Sequence, residues 1–505
     1  MLSIFATTEV LEIVKDIIAE ENRLDELVAL KDFLEEKPKP TAYHLIIKKN
    51  AIKQPIDWYN VLPPYILPEE IPLSNRTLLG LIFFKLGNTE KAYQMLTNNQ
   101  ALLTEIDIIN SLQNGFTINP DVLTTGFSEF DEYRLMHNNA ILRHYASENN
   151  AFDADKTRYF YREAMNAAPN DEYKAFTAKH FGTFLTDMQD MEHAENILLA
   201  ALDYALSDEA KTEIKNALVA VWMKKMVVPY NQALLSHVKN ILWEVLQVYE
   251  KQGRALETAM TLVDASHIAN ISDSFAESLG YISRAIDIFR KEEATELLAN
   301  AQYRKGTLLY TWAKTGNPQF LKGAMDAYQE ALKIFNREDT PSVFADIQHH
   351  LGVIYSEIPD EIKKKSIWAS VSSSAFHEAL NFYTKEEYPY EYAMVCNSFG
   401  NALTKYPAAL HSDNYEKSLF YYQEALNIRT ADKYPLERAL SLLNYLEACW
   451  EVGSGTKESD EKRFQEMIAK ANEVKTLTKD VKILQDANLH LEQLKALSQI
   501  MSYEL

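Results

Sequence analysis

The sequence predicts an all-α fold, an α-solenoid of antiparallel helix pairs. The first observation behind this is self-similarity. Aligning Ala331, Ala379 and Ala425 gives offsets of 48 and 46 residues, a fixed period of the kind that marks repeat architectures. The second is the type of residue that recurs with them. An aromatic stands three positions earlier (Tyr328, Phe376, Tyr422), a small residue seven earlier (Ala324, Ser372, Ser418) and a proline ten later (Pro341, Pro389, Pro435). Alanine follows at fourteen (Ala345, Ala393, Ala439), and at twenty-one come Gly352, Gly400 and then Leu446; Gly306 opens the series. The third is composition: 14 glycines and 16 prolines in 505 residues are few for a turn-rich fold, and 47% hydrophobic residues suffice for a core.

Each unit reads as helix, loop, helix, loop. Ala324, Tyr328, Ala331 and Ile334 fall on one helical face. Glycine inside a helix costs about 1 kcal/mol relative to alanine, so Gly306, Gly352 and Gly400 predict a second helix packed against bare backbone. Proline suits the first helical turn and disfavours helix before it. Pro341, Pro389 and Pro435 therefore mark the entries to first helices.

This pattern resembles the tetratricopeptide repeat, which has a small residue at its position 8, alanine at 20, an aromatic or bulky residue at 24, alanine at 27 and often proline at 32. The match is stretched. Gly400 to Ser418 is 18 residues where the family has about 12, and Ala379 to Gly400 is 21 where it has about 15. A unit of about 34 residues thus becomes one of 46. The run Arg337-Glu338-Asp339-Thr340-Pro341, with Ala345 and Gln348-His349-His350-Leu351-Gly352, is similar to repeats found beside caspase-like CHAT protease domains in bacterial proteins.

In chain order, residues 1–36 are expected to form an N-terminal helical cap. Val10, Leu11, Val14, Ile17 and Ile18, then Leu24, Leu27, Val28, Phe33 and Leu34, fit two amphipathic helices. Residues 37–72 hold seven of the sixteen prolines and read as irregular, extended chain. Their apolar content (Trp58, Tyr59, Tyr65, Ile66 among others) predicts a segment packed on the protein, since a flexible linker is more polar.

Residues 73–300 read as divergent repeats. Gly80 and Ala92, then Gly182 and Ala194, keep the family's spacing, and Tyr161-Arg-Glu-Ala164 with Pro169 closes a degenerate unit. Within the poorly matching 207–300 stretch, Ala285 and Phe289 are placed at positions 20 and 24. Residues 301–452 are the stretched repeats. After Gly453-Ser-Gly455, residues 453–505 are expected to form two charged capping helices, because a solenoid end needs a polar outer face.

A net charge of −21 argues against nucleic acid and anionic membranes as partners, since both need basic surface. No apolar run is long enough to span a bilayer. Two cysteines, Cys396 and Cys449, supply no disulfide framework, which points to a reducing, cytoplasmic setting. Both read as small core hydrophobes. His349 and His350 are adjacent on a helix and so diverge by about 100°, the wrong geometry for chelation; His349 is placed on the inner surface and His350 toward the neighbouring helix. The Lys363-Lys364-Lys365 run reads as a solvated loop. The chain carries no phosphate loop, nucleophile elbow or paired Cys-x-x-Cys. It is read as not an enzyme, with no cofactor and no metal.

The resemblance implies a groove lined by first helices, with family positions 2, 5, 9 and 12 facing it. Carried over, these are Asn300, Tyr303, Thr307 and Tyr310; then Asp346, His349, Val353 and Ser356; then Met394, Asn397, Asn401 and Thr404, with Lys405 beside them. Asparagine both donates to and accepts from a peptide backbone, which makes Asn397 and Asn401 the favoured pair. The implied function is a non-enzymatic scaffold for a protein or peptide segment. The alternatives are a regulatory subunit that restrains a separately encoded enzyme, such as a caspase-like protease, and a peptide or small-ligand sensor.

Overall fold

The computed structural model describes residues 1–119, 123, 128–146, 152–407, 413–453 and 455–503. The side chains of Lys363 and Ile500 lie outside the described residues. The chain divides into two compact units, Met1–Gln252 and Gly253–Leu505.

The first unit opens with a sheet that the sequence reading did not foresee. Its elements are β1 (Leu2–Ala6), α1 (Leu11–Ala19), a single 3-10 turn (Leu24–Glu26), β2 (Val28–Asp32), β3 (His44–Lys48), β4 (Ala51–Lys53) and β5 (Ile71–Pro72). The strand order is β2-β1-β3-β4-β5. β1 runs parallel to β2 and β3, and β4 is antiparallel to both β3 and β5. The expected helical cap over 1–36 is thus corrected to a β-α-β unit, and the irregular segment over 37–72 contains three strands. Only α1 follows the helical reading, burying Val14, Ile17 and Ile18. The second apolar set misled because Leu24, Leu27 and Val28 match helical spacing over too short a run. Leu27 and Leu34 are in fact 53% and 81% exposed, while Val28 enters a strand.

The unit continues with α2 (Asn75–Lys85), α3 (Thr89–Leu96), α4 (Gln100–Gln113), α5 (Glu129–Tyr145), α6 (Ala154–Ala167), α7 (Asp171–Asp187), α8 (Met191–Tyr204), α9 (Asp208–Lys225) and α10 (Gln232–Gln252). Ser74, Asn88, Asn99, Ser128, Asp153, Asn170 and Ser207 each accept a backbone N–H at a helix start, satisfying donors that the helix leaves open. Antiparallel packing joins α2 to α3, α5 to α6, α7 to α8 and α9 to α10, and α7 also packs on α9. A Cβ on Gly182 would lie 2.4 Å from Leu198 Cγ, so α7 and α8 meet at a distance that only glycine permits. Gly80 and Leu96 repeat the arrangement between α2 and α3.

The second unit is helical throughout its described residues: α11 (Ala255–Ile271), α12 (Phe275–Lys291), α13 (Thr295–Lys314), α14 (Phe320–Ala331), α15 (Pro341–Glu357), α16 (Ile362–Phe382), α17 (Pro389–Leu403), α18 (Asn414–Ile428), α19 (Pro435–Glu451), α20 (Lys457–Leu477) and α21 (Val481–Tyr503). The stretched repeats are the pairs α13/α14, α15/α16 and α17/α18. The aromatics Tyr328, Phe376 and Tyr422 lie against the backbones of Gly306, Gly352 and Gly400, and Ala331, Ala379 and Ala425 are fully buried beside them. The three prolines open α15, α17 and α19. The residues before them adopt nearly one backbone geometry, with φ/ψ of −136/55 at Thr340, −132/58 at Tyr388 and −136/56 at Tyr434.

One register differs from expectation. Ser266 and Ser278 exchange hydroxyl–carbonyl hydrogen bonds of 2.9 and 2.8 Å across α11 and α12. Ser278 stands 12 residues after Ser266, as Ala194 does after Gly182, and Ser278, Ile282 and Ala285 are buried. They therefore take positions 20, 24 and 27, seven residues or two turns before the placement of Ala285 and Phe289 read from the sequence. The chain is an α-solenoid of tetratricopeptide-like helix pairs, with a small mixed sheet at its start.

Candidate peptide-binding face

The first helices α13, α15 and α17 carry eleven of the thirteen residues singled out above, and Thr404 and Lys405 follow directly on α17. α15 and α17 pack directly on one another, and side chains tie each helix to the next. Tyr303 on α13 donates its hydroxyl to Asp346 Oδ2 on α15 at 2.5 Å. Thr307 shares a 3.0 Å hydrogen bond with the Tyr328 hydroxyl and donates to its own helix at Tyr303 O. Asn300 is exposed, its Oδ1 accepting from Arg304 Nε at 3.0 Å.

Six of the thirteen meet in one cleft of about 180 Å³: Tyr310, His349, Val353, Ser356, Asn401 and Lys405. Asn300, Tyr303, Thr307, Asp346, Met394, Asn397 and Thr404 are outside its lining. At one end, Lys314 Nζ and Lys405 Nζ each lie 2.6 Å from Glu357 Oε1. Three successive first helices thus converge on one carboxylate. Burial works against that charge, but the two lysine hydrogen bonds prevail and hold Glu357 below the usual carboxylate range. Lys314 and Glu357 are the residues that sequence reasoning missed. The signal was available, because Glu357 and Lys405 each stand five residues after a register glycine, Gly352 and Gly400.

The favoured asparagine pair is already engaged. Asn397 Oδ1 accepts from Ser441 Oγ at 2.9 Å on α19, and Asn401 Oδ1 accepts from the Tyr422 hydroxyl at 2.7 Å on α18. Each amide therefore has an acceptor site committed to holding neighbouring helices together. The placement of the histidines also needs correction. His349 is 5% exposed and faces Phe376, because both α16 and α17 close over that side of α15. Burial, and secondarily His350, pull its pKa down to about 3, and neither ring nitrogen has a hydrogen-bond partner among the described residues. His350 is the less buried of the two and stacks on Tyr328 at 5.4 Å.

Among the described residues, no three His, Cys, Asp or Glu side chains are grouped to hold a metal. Burial pushes the Cys396 and Cys449 thiols up to about 12, which leaves them protonated and poorly nucleophilic at neutral pH. No described helix is long and apolar enough to cross a membrane.

No protein-family model matches the chain, and no curated protein matches it. Among solved structures, the human IFIT1 dimer with PPP-AAAA is similar at 11% identity and a TM-score of 0.40, over 84% of this chain and 82% of that one. The APC/C hetero-tetramer Cut9-Hcn1 is similar at 13% identity and a TM-score of 0.34, over 85% and 88%. Yeast Tom70 is similar at 11% identity and a TM-score of 0.33, over 85% of this chain and 90% of that one.

Proposed function

We infer that this protein is a non-enzymatic scaffold that holds an extended partner segment against α13, α15 and α17. The observation that carries this reading is the shared cleft of Tyr310, His349, Val353, Asn401 and Lys405. It combines flat aromatic surface, an amide and a lysine, the mixture an extended peptide needs for contact area and orientation. The Lys314–Glu357–Lys405 bridge supplies a polar end stop of net positive charge.

The test is capture from the native host by the intact chain and by a Val353→Arg/Lys405→Glu variant, with the retained proteins identified by mass spectrometry. The reading expects a partner held by the intact chain and lost by the variant at unchanged helicity. Equal capture by both chains rejects this face. The partner's identity then separates a plain scaffold from a subunit that restrains an enzyme.

A further inference from the structure

Residues 54–70 leave the sheet between β4 and β5 and form a strap without regular secondary structure. Its seat is built from helices far away in sequence. Asn138 on α5 reads the main chain of Ile66 with both ends of its amide: Oδ1 accepts from Ile66 N and Nδ2 donates to Ile66 O, each at 2.9 Å. His137, one position earlier, lies 2.8 Å from Pro64 O through Nε2, and its Nδ1 is fixed by Thr177 Oγ1 on α7 at 2.9 Å. Trp58 packs edge-on to Phe176 of α7, with ring centroids 5.2 Å apart, and donates to Glu172 at 2.9 Å. The Tyr59 hydroxyl reaches Glu209 of α9 at 3.4 Å.

These contacts are those of a bound peptide. Three first helices supply them, an asparagine grips backbone without regard to side chain, and aromatic anchors fill the spaces between. Trp58, Tyr65 and Leu67 are themselves buried, Tyr65 and Leu67 within the unit's apolar core, and two further features concern how the strap is held. Its ends are joined at the neck, where Ala51 pairs with Pro72 and Ile52 with Ile71, so the strand pairing on either side of it is made without the strap. A partly open cavity of about 60 Å³ also adjoins it, lined by Pro64, Tyr65, Leu67, Phe130, Tyr173 and Phe176.

We propose that the α5–α7–α9 face is a second peptide-binding groove, filled here by the chain's own strap, and that an extended, proline-bearing partner segment with aromatic anchors takes the same seat when the strap leaves. The main-chain grip of Asn138 and the pockets for Trp58 and Tyr65 define that partner's chemistry: an extended backbone at the Ile66 position, preceded directly by a phenol and, eight residues earlier, by an indole. This groove involves none of the residues of α13, α15 and α17, so it stands or falls separately from the scaffold reading.

The test uses the full chain and a labelled synthetic peptide with the sequence of residues 54–68. A Trp58→Ala/Tyr65→Ala variant frees the seat by removing the strap's two anchors. Fluorescence anisotropy is expected to show saturable binding to this variant, at least about ten-fold tighter than to the intact chain. Adding Asn138→Leu is expected to abolish it while the far-UV spectrum stays the same. Absence of binding to a helical variant, or binding indifferent to Asn138→Leu, overturns the proposal. If the double variant does not fold, hydrogen exchange on the intact chain decides. Exchange at the Ile66 amide at least about ten-fold faster than in the core of α7 supports a strap that opens by itself, and equal rates show a strap released only by global unfolding and overturn the idea.

Discussion

Gly400 and Tyr422 share one space: a Cβ on the glycine would stand 2.5 Å from Cε1 of the tyrosine ring. The ring is also held from its far end, where the hydroxyl donates to Asn401. Gly400→Ala must therefore push α17 and α18 apart or turn a fully packed aromatic. Overpacking of this kind costs about 1–3 kcal/mol, to be read as a lower urea midpoint. Gly280 is the control. It lies within α12 with nothing within 4 Å of its would-be Cβ, so Gly280→Ala is expected to stabilise by up to about 1 kcal/mol.

Arg134 holds a buried ion pair whose loss should destabilise the first unit. It pairs with Glu105 at 2.8 Å, and the two side chains are only 8% and 13% exposed. Glu105 also accepts the Tyr65 hydroxyl at 2.5 Å. Arg134→Ala leaves that carboxylate buried without its cation, at a cost of about 3–5 kcal/mol. Arg134→Ala combined with Glu105→Leu should recover a large part of the loss. A double-variant cycle in urea measures the coupling, and strict additivity contradicts the pairing.

Stability should fall on mild acidification. Burial lowers the pKa of His137 to about 4 and of His349 to about 3, and it lowers His180 as well. An unfolded histidine protonates near 6.5, so between that pH and the folded values the unfolded chain binds more protons. Folding is then weakened as pH drops through this window, by up to about 1.4 kcal/mol per pH unit for each histidine. The stability is fully present above pH 6.5. Denaturation midpoints between pH 7.5 and 4.5 would show it, and His349→Phe should remove one proton from the slope. An unchanged slope means that His349 titrates normally.

Both thiols should resist modification in the native protein. Cys396 is wholly buried and Cys449 is 3% exposed, with thiols pushed up to about 12. An aromatic disulfide reagent is expected to label neither on the minute timescale at pH 8 and both in denaturant. Prompt native labelling of either shows that α17 or α19 is more open than described here.

The repeats were legible because each unit's key contact is local. Gly352 and Phe376 meet across a single helix–loop–helix, 24 residues apart, and Gly400 and Tyr422 meet in the same way 22 residues apart. The sheet was not legible, because its strands run five residues or fewer and their pairing is remote, Leu2 with Val28 and Ser3 with His44. Register was enough to bring Tyr310, Val353, Asn401 and Lys405 to one cleft. It did not reveal that Asn397 faces Ser441, since an amide's choice between neighbour and ligand is settled by packing. The seat on α5 escaped notice for a related reason. That unit's first helix has no register glycine, and only its second helix, through Tyr161 and Ala164, carried the pattern.

The strap also sets an order of events during synthesis. Tyr59 and its partner Glu209 are 150 residues apart, so ribosomes adding roughly 5–20 residues per second need about 8–30 s to make the second after the first. Each helix pair closes as soon as it emerges, whereas the strap is made early and seated late. Until α7 is made, Trp58 lacks its partners Glu172 and Phe176, and whatever recognises such a segment in the cell meets it before α7 and α9 do.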